Sequence, residues 1–190
     1  GWAAGVGRGV VRGPGWARRG HVAVGGPDGV GNRQGCAPVR GAGVARLSVL
    51  LKRWMAARLD EWLVAAEYIM AESNYDVVLC EGGVRTFGQH TRNTLDLASI
   101  PAVRRISHLP VIVDPSHGTG KNYMVTPLAC AGTAAGADGL MVEVHNDPSR
   151  ALSDGAQALT IEEYEQLARE VMEIQELTSA QRGRRASHPR

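Results

Sequence analysis

Four short apolar runs, each followed by a helical pattern, are the feature that most restricts what this chain can fold into. The runs cover residues 47–52, 76–81, 109–114 and 139–145, and helical patterns cover 59–72, 95–107 and 124–135. A last amphipathic helix begins at Thr160, with Glu163 completing a capping-box pattern. Strands that are apolar at almost every residue are typical of a parallel sheet covered by helices. The sequence therefore predicts an α/β fold with four strands.

Polar residues with chemical capacity stand at or near the ends of these runs. They are Lys52, Glu81, Asp114 and Glu143, and His117 follows the third run closely. An open doubly wound sheet and a barrel are both compatible with the alternation, but a barrel gathers such residues from several strands at one rim. No glycine motif of the dinucleotide-binding type follows a strand. We therefore predict that residues 48–178 form half of a (β/α)8 TIM barrel.

The first 47 residues differ in composition from the rest of the chain. They contain fourteen of the 24 glycines, seven arginines and one acid, Asp28, and they show no sustained periodicity. Glycine at this density carries a large ordering entropy with few large apolar side chains to offset it, so residues 1–47 are predicted to be disordered. Two alternatives remain open: an Arg/Gly-rich arm that binds RNA, or GC-rich DNA translated in a non-native reading frame. Residues 179–190 are predicted to be a flexible basic tail.

Charge and cysteine usage restrict the partners and the compartment. The net charge of +2 comes from the first 47 residues, because the remainder sums to −4, so a nucleic-acid partner for the folded part is not favoured. Cys36, Cys80 and Cys130 show no metal-pair spacing and no disulfide framework, which favours a reducing cytoplasm. No apolar run reaches the roughly 20 residues of a membrane span, so no membrane association is expected.

An imidazole and two carboxylates follow the last two strands. His117 lies in an Asp-Pro-Ser-His-Gly segment, Glu143 ends the fourth strand, and Asp154 lies in a Leu-Ser-Asp-Gly turn. This set suits a divalent cation such as Mn²⁺, Fe²⁺ or Co²⁺ with open positions for water or substrate. The residues alone leave another interpretation open, in which His117 and Asp154 cap loops while Glu143 pairs with Lys52 in the barrel mouth.

Basic residues near the same rim could bind an anionic substrate. Lys52 and Lys121 would act as point charges, and Arg85 or Arg92 as bidentate forks. Lys52 is the strongest candidate, because a charged side chain at the end of a buried apolar strand needs a partner.

Six segments, in order, resemble one enzyme family. They are Leu50-Leu-Lys-Arg53, Leu79-Cys-Glu-Gly-Gly-Val-Arg-Thr-Phe87, Thr91-Arg-Asn-Thr-Leu-Asp96, Leu109-Pro-Val-Ile-Val-Asp-Pro-Ser-His117, Val142-Glu-Val-His145 and Leu152-Ser-Asp-Gly155. Together they resemble the later strands of 3-deoxy-7-phosphoheptulonate (DAHP) synthase, in the type I subgroup close to KDO 8-phosphate synthase. The resemblance implies that the four strands are strands 5–8, the C-terminal half of the barrel.

The same resemblance implies a transferase that condenses phosphoenolpyruvate with erythrose 4-phosphate at the first step of the shikimate pathway, which leads to the aromatic amino acids. His117, Glu143 and Asp154 match three of the four ligands of the family's divalent metal (Mn²⁺, Fe²⁺ or Co²⁺). Lys52 and His117 would be catalytic, and Lys52, Glu81, Arg85 and His117 would contact substrate. A homo-oligomer is expected, as in the intact family.

Three departures from the family pattern shape the expectation for this chain. The fourth ligand, a cysteine on the first barrel strand, has no counterpart here, and neither has the early loop that holds the phosphates. Where the family has Cys-Glu-Arg-Gly, this chain has Gly82 in the arginine position. We therefore expect an incomplete and inactive chain as given. The alternatives are a KDO 8-phosphate synthase-like enzyme, or a non-catalytic remnant with an RNA-binding arm.

Overall fold

The fold is an alternation of parallel strands and helices, seen in a computed structural model that describes residues 21–25, 33–44 and 47–186. The strands are β1 (His21–Gly25), β2 (Ser48–Lys52), β3 (Val77–Glu81), β4 (Val111–Val113) and β5 (Gly139–Leu140). The helices are α1 (Arg33–Val44), α2 (Leu59–Ala71), α3 (Ser99–Ile106), α4 (Pro115–Thr119), α5 (Asn122–Ala135) and α6 (Ile161–Ala186), and Pro148–Arg150 forms a short 3-10 turn.

The five strands form one sheet in the order β1-β2-β3-β4-β5, and every neighbouring pair is parallel. Because every pair is parallel, the carboxyl ends of all the strands lie along the same edge of the sheet. The predicted α/β half barrel is confirmed, and its four strands are β2–β5. The last strand is shorter than predicted, since β5 ends at Leu140, and only an isolated bridge between Val144 and Leu159 extends parallel pairing beyond it.

Alternate residues of the strands pack into two separate apolar clusters. The larger one lies under the helices and includes Leu51 and Leu79 of the sheet together with Trp62 and Ile69 of α2. The smaller one, on the other face of the sheet, contains four buried residues: Leu50, Val78, Cys80 and Ile112. Both faces of the central strands are therefore buried, as the unbroken apolar runs predict.

The prediction that residues 1–47 are disordered is wrong for two ranges within them. Residues 21–25 form β1, which pairs along its whole length with β2, and residues 33–44 form α1. Val39 and Ala42 of α1 are buried, and a side chain at Gly43 would come within 2.8 Å of the Ile69 carbonyl oxygen. Small residues therefore let α1 approach α2 closely, a packing gain that composition alone does not reveal. Residues 1–20, 26–32, 45 and 46 lie outside the described part.

The carboxyl-terminal helix is also longer than predicted. Thr160 and Glu163 form the expected capping box, with Glu163 N–H donating to the Thr160 hydroxyl at 3.2 Å and Thr160 N–H donating to the Glu163 carboxylate at 2.8 Å. The helix continues to Ala186, so the prediction of a flexible tail is wrong for residues 179–186, where Ala, Gln and Arg favour helix. Among the residues that the structure describes, no helix combines the length and apolar character needed to cross a membrane.

Candidate functional site

The site begins at the end of β4, where a short helix turns His117 back toward the strand. Asp114 caps α4 by accepting the His117 backbone N–H at 3.0 Å, and Pro115 occupies the first helical turn. The other Asp114 carboxylate oxygen lies 2.7 Å from Nδ1 of the His117 ring. A carboxylate can only accept, so Nδ1 is the donor, and Nε2 is the ring nitrogen left to face the rim.

Asp114 is fully buried, and it also contacts the lysine that ends β2. Lys52 Nζ lies 2.6 Å from Asp114 Oδ2. Burial opposes ionisation of Asp114, but the hydrogen bond with His117 and the charge of Lys52 hold the pKa of Asp114 below its usual value. Burial likewise opposes the charge on Lys52, and the attraction of Asp114 outweighs it, so the pKa of Lys52 is raised. The hydrogen bond with Asp114 raises the pKa of His117.

Glu143 and Asp154 bring two carboxylates to the free nitrogen of His117. Nε2 of His117 lies 3.3 Å from Glu143 Oε1 and 3.8 Å from Asp154 Oδ2. The Glu143 backbone is held by its N–H, which donates to the buried Ser116 hydroxyl at 3.0 Å. Asp154 follows the Pro148–Arg150 turn and has a positive φ of 55°, a left-handed conformation that aspartate tolerates. We call these three residues, His117, Glu143 and Asp154, the His117 cluster.

The His117 cluster can hold a divalent cation. Its three donor atoms lie within 4.8 Å of one another, and no other group of three potential ligands this close occurs in the described residues. Atoms bound to one first-row metal at roughly 2.0–2.2 Å lie at most about 4.4 Å apart, so both His117 distances fit and only small shifts are needed. A metal is bound by the neutral ring, in which the proton stays on Nδ1 and Nε2 offers its lone pair to a cation that the two carboxylates can also bind.

The opposite side of Asp154 is held by two further residues. Gln157 Nε2 donates to Asp154 Oδ1 at 2.6 Å, and Arg92 Nη2 donates to Gln157 Oε1 at 3.0 Å. Arg92 Nη1 also lies 3.5 Å from Asp154 Oδ1. Gln157 is fully buried, whereas the Arg92 side chain is half-exposed.

A second ion network stands beside the cluster, between β2 and β3. Arg53 Nη1 lies 3.1 Å from Glu81 Oε2 and 2.7 Å from Asp96 Oδ2, and its guanidinium lies over the Trp62 ring. Glu81 Oε1 accepts the Gly83 and Asp96 backbone N–H groups at 2.7 and 3.3 Å. Burial raises the pKa of Glu81, and Arg53 partly offsets this effect. Glu81 therefore holds the loop after β3 in place.

Of the six residues to which the family resemblance gives a site role, the structure brings four together: Lys52, His117, Glu143 and Asp154. Lys52 joins the His117 cluster through Asp114, whereas Glu81 is occupied by Arg53 and Arg85 is exposed on the loop after β3. The alternative pairing of Lys52 with Glu143 is not observed, since Lys52 pairs with Asp114.

Sequence reasoning missed the supporting roles of Asp114, which it named only as a polar residue at the end of a strand, and of Gln157. Both could be found from spacing: Asp114 precedes Pro115 and stands three residues before His117, as a helix N-cap does, and Gln157 stands three residues after Asp154.

Comparison with known proteins decides the family. The sequence model described as the DAHP synthetase I family matches residues 32–180. The chain belongs to this family. The matched range begins within the segment predicted to be disordered, at the residue before α1.

Two relatives in the family illustrate the range of similarity. The Phospho-2-dehydro-3-deoxyheptonate aldolase of Thermotoga maritima is 47% identical over 133 residues, which cover 70% of this chain and 39% of the relative. The 2-dehydro-3-deoxyphosphooctonate aldolase of Syntrophobacter fumaroxidans is 32% identical over 143 residues, covering 70% of this chain and 49% of the relative. The chain thus spans less than half the length of these curated relatives.

The same similarity holds in three dimensions. The crystal structure of the Thermotoga maritima DAHP synthase superposes with a TM-score of 0.74 and 42% sequence identity, covering 84% of this chain and 45% of that one. A truncated form of the Thermotoga maritima 3-deoxy-D-arabino-heptulosonate 7-phosphate synthase superposes with the same score, and 58% of it is covered. The alternation of parallel strands and helices is therefore that of DAHP synthase.

Proposed function

We propose that this chain carries the part of a DAHP synthase active site that binds the metal and phosphoenolpyruvate. The enzyme condenses phosphoenolpyruvate with erythrose 4-phosphate. The observation that carries the proposal is the convergence of Glu143 and Asp154 on Nε2 of His117, while Asp114 occupies Nδ1. A histidine that donates its other ring nitrogen to a carboxylate is the usual arrangement of a metal ligand, because the hydrogen bond fixes the tautomer and the ring orientation.

Lys52 is proposed to bind the anionic end of phosphoenolpyruvate. Its side chain is 28% exposed and ends beside the cluster, so it can reach a ligand at the rim while staying paired with Asp114. The raised pKa keeps Lys52 charged at neutral pH. An ammonium group attracts carboxylate or phosphate as a point charge and can change partners without losing its position.

His117, Glu143 and Asp154 are proposed to hold Mn²⁺, Fe²⁺ or Co²⁺. When bound, such a cation acts as a Lewis acid that polarises the aldehyde of the sugar phosphate and orients water. The protein's part is to fix three donors at the rim and to place Lys52 close to them. Glu81 and Arg85 are also proposed to contact substrate; Glu81 is paired with Arg53, and Arg85 is exposed on the loop after β3.

A KDO 8-phosphate synthase-like activity is the second candidate, supported by the 32% identity to the Syntrophobacter relative. An octonate product has eight carbons, so phosphoenolpyruvate would need a five-carbon aldose phosphate instead of a four-carbon one. The 47% identity to the heptonate enzyme favours the four-carbon acceptor. Assays with the two acceptors side by side distinguish the candidates.

The decisive experiment places residues 32–180 in the corresponding part of the Thermotoga maritima relative. The graft is assayed for consumption of phosphoenolpyruvate with erythrose 4-phosphate and Mn²⁺. His117→Ala should remove the metal. Because a metal supplies several kcal/mol of transition-state stabilisation, kcat of this variant should fall at least about a hundredfold. His108→Ala, at an exposed histidine outside the cluster, is the matched control and should leave the rate unchanged. Equal turnover in the two variants would refute the assignment.

A reducing compartment is proposed for this protein. Cys80 and Cys130 are free thiols in the structure, which supports a reducing compartment such as the cytoplasm. The homo-oligomer implied by the family stays a prediction. The expectation that the chain as given is inactive also stays a prediction, and the same phosphoenolpyruvate assay on the full chain tests it.

A further inference from the structure

Gln157 is a buried polar residue whose side-chain amide makes hydrogen bonds through both its nitrogen and its oxygen. Its Nε2 donates to Asp154 Oδ1 at 2.6 Å and its Oε1 accepts from Arg92 Nη2 at 3.0 Å, while the residue has no solvent exposure. Only a side chain with a donor and an acceptor at this distance can join a carboxylate to a guanidinium without placing like groups in contact. Gln157 therefore determines which oxygen of Asp154 is occupied and which stays free.

The backbone around Asp154 is fixed, so the Asp154 carboxylate can change its position mainly by rotation of the side chain. Its φ of 55° is left-handed, and the next residue is packed so tightly that a Cβ at Gly155 would lie 2.4 Å from the Pro148 carbonyl oxygen. The turn is thus fixed by its own packing. The contact from Gln157 to Oδ1 then turns Oδ2 toward His117, where it lies 3.8 Å from Nε2.

Arg92 connects this contact to the helix that carries His117. Its backbone N–H donates to the Thr119 carbonyl at 2.9 Å, and its side chain passes so close to Gly120 that a Cβ there would lie 3.2 Å from the arginine. The guanidinium is therefore held against the end of α4 and directed at Gln157 and Asp154. One connected set of contacts links the loop after β3, the end of α4 and the turn before α6.

We propose that Gln157 and Arg92 are positioning residues that present Asp154 Oδ2 to a divalent cation in the His117 cluster. This inference rests on the metal site of the proposed function. A merely structural role is the alternative, because the Gln157 N–H also closes the turn on the Asp154 carbonyl at 3.2 Å. The two roles differ in one respect: positioning acts through the Asp154 carboxylate, whereas turn closure acts through the backbone.

The test measures Mn²⁺ affinity of the full chain by the electron paramagnetic resonance signal of free Mn²⁺. Gln157→Met keeps the size of the side chain and removes both contacts, and the loss of a group that orients a ligand should weaken binding about tenfold to a hundredfold. Gln157→Glu keeps an acceptor for Arg92 but cannot donate to Asp154, so it should also weaken binding. Gln166→Met, at an exposed glutamine on α6, is the matched control and should bind as the wild type does.

A double-mutant comparison separates positioning from structure. In an Asp154→Asn background the carboxylate is gone, so adding Gln157→Met should change affinity by no more than about twofold. A structural role would give the same factor in both backgrounds, and that result would overturn the proposal. Arg92→Met, at a half-exposed side chain, provides the same test if Gln157→Met does not fold, and wild-type affinity in Arg92→Met would then reject the inference.

The outcomes also distinguish this inference from the proposed function. If the wild-type chain binds no Mn²⁺, or if His117→Ala binds it equally well, the metal site itself is wrong and both proposals fall. If His117→Ala abolishes binding while Gln157→Met binds like the wild type, the metal site stands and only the positioning role falls. With Co²⁺, a shift of the visible absorption bands in Gln157→Met would support a changed ligand geometry.

Discussion

The two sides of the His117 cluster are built differently. On the strand side, His117 is held by Asp114, which has no side-chain exposure and directly follows β4. On the loop side, Asp154 is 31% exposed and is held by Gln157 together with Arg92, whose side chain is 49% exposed. The first support is a fully buried residue directly after a strand, and the second joins the buried Gln157 to two side chains that are partly exposed.

This difference separates stability from metal affinity. Removing a buried carboxylate leaves a lysine and a histidine without their partner inside the protein, so the strand side should affect folding and metal binding together. A contact to a partly exposed carboxylate can be lost at less cost to folding, so the loop side should affect mainly the metal.

The largest effect is expected at Asp114. Asp114→Ala removes the partner of Lys52, the N-cap of α4 and the support of His117 at once. Breaking a buried ion pair costs about 3–5 kcal/mol, and the partial exposure of Lys52 places this case near 3 kcal/mol. Urea denaturation of the full chain and Mn²⁺ titration measure the two effects, and both stability and metal binding should fall.

Asp60→Ala is the control for this comparison. Asp60 also contacts an arginine, Arg58, but both side chains are largely exposed, and water and salt screen such pairs. Its unfolding midpoint and Mn²⁺ affinity should stay at the wild-type values. If Asp114→Ala keeps its full stability, the strand side is no more rigid than the loop side and the contrast fails.

The strand side was largely predictable from the sequence. Apolar runs located β2–β5, and because parallel strands end at one edge, Lys52, His117 and Glu143 could be expected to meet. Asp154 was named from the Leu-Ser-Asp-Gly turn after the fourth strand, and the family resemblance then favoured it as a metal ligand. The ion-pair partner of Lys52 was less predictable. Asp114 and Glu143 follow neighbouring strands at the same rim, and the sequence does not decide which of the two acids Lys52 contacts.

The loop side and the amino-terminal elements show where sequence reasoning fails. Gln157 and Arg92 are 65 residues apart, and no periodicity links the loop after β3 to the turn before α6. Likewise, glycine-rich composition predicts a large entropy cost in α1, but it does not show that Gly43 permits close contact with α2. Long-range packing decides both cases, and local propensity carries little information about it.

The second prediction concerns Gly82, which directly follows β3. The family pattern has arginine at this position, and a Cβ at Gly82 would meet no atom within 4 Å, so a side chain can be added without strain. An arginine–phosphate contact contributes about 1.5–3 kcal/mol, so Gly82→Arg in the Thermotoga graft should lower KM for phosphoenolpyruvate roughly tenfold to a hundredfold. An unchanged KM would show that position 82 does not face the phosphate.

The neighbouring glycine provides a matched comparison. Gly83 has a φ of 93°, its N–H donates to Glu81 at 2.7 Å, and a Cβ would lie 2.7 Å from that of Asn93. Gly83→Ala should therefore destabilise the protein in thermal unfolding, whereas Gly82→Ala should not. Equal melting temperatures for these two variants would mean that the turn after β3 is less rigid than the strand side.

The smallest expected effect is on the loop side. Asp154 is a proposed metal ligand, and its backbone has an unusual left-handed conformation. Asp154→Asn removes the charge but retains a residue type that tolerates the left-handed region, whereas Asp154→Ala removes the charge and adds backbone strain of about 1–2 kcal/mol. Both variants should lose Mn²⁺ affinity to a similar extent, because each lacks the carboxylate. Only Asp154→Ala should unfold at lower urea concentration when no metal is present. If Asp154→Asn is destabilised as much as Asp154→Ala, the carboxylate itself supports the fold through Gln157 and Arg92, and the loop side would then resemble the strand side after all.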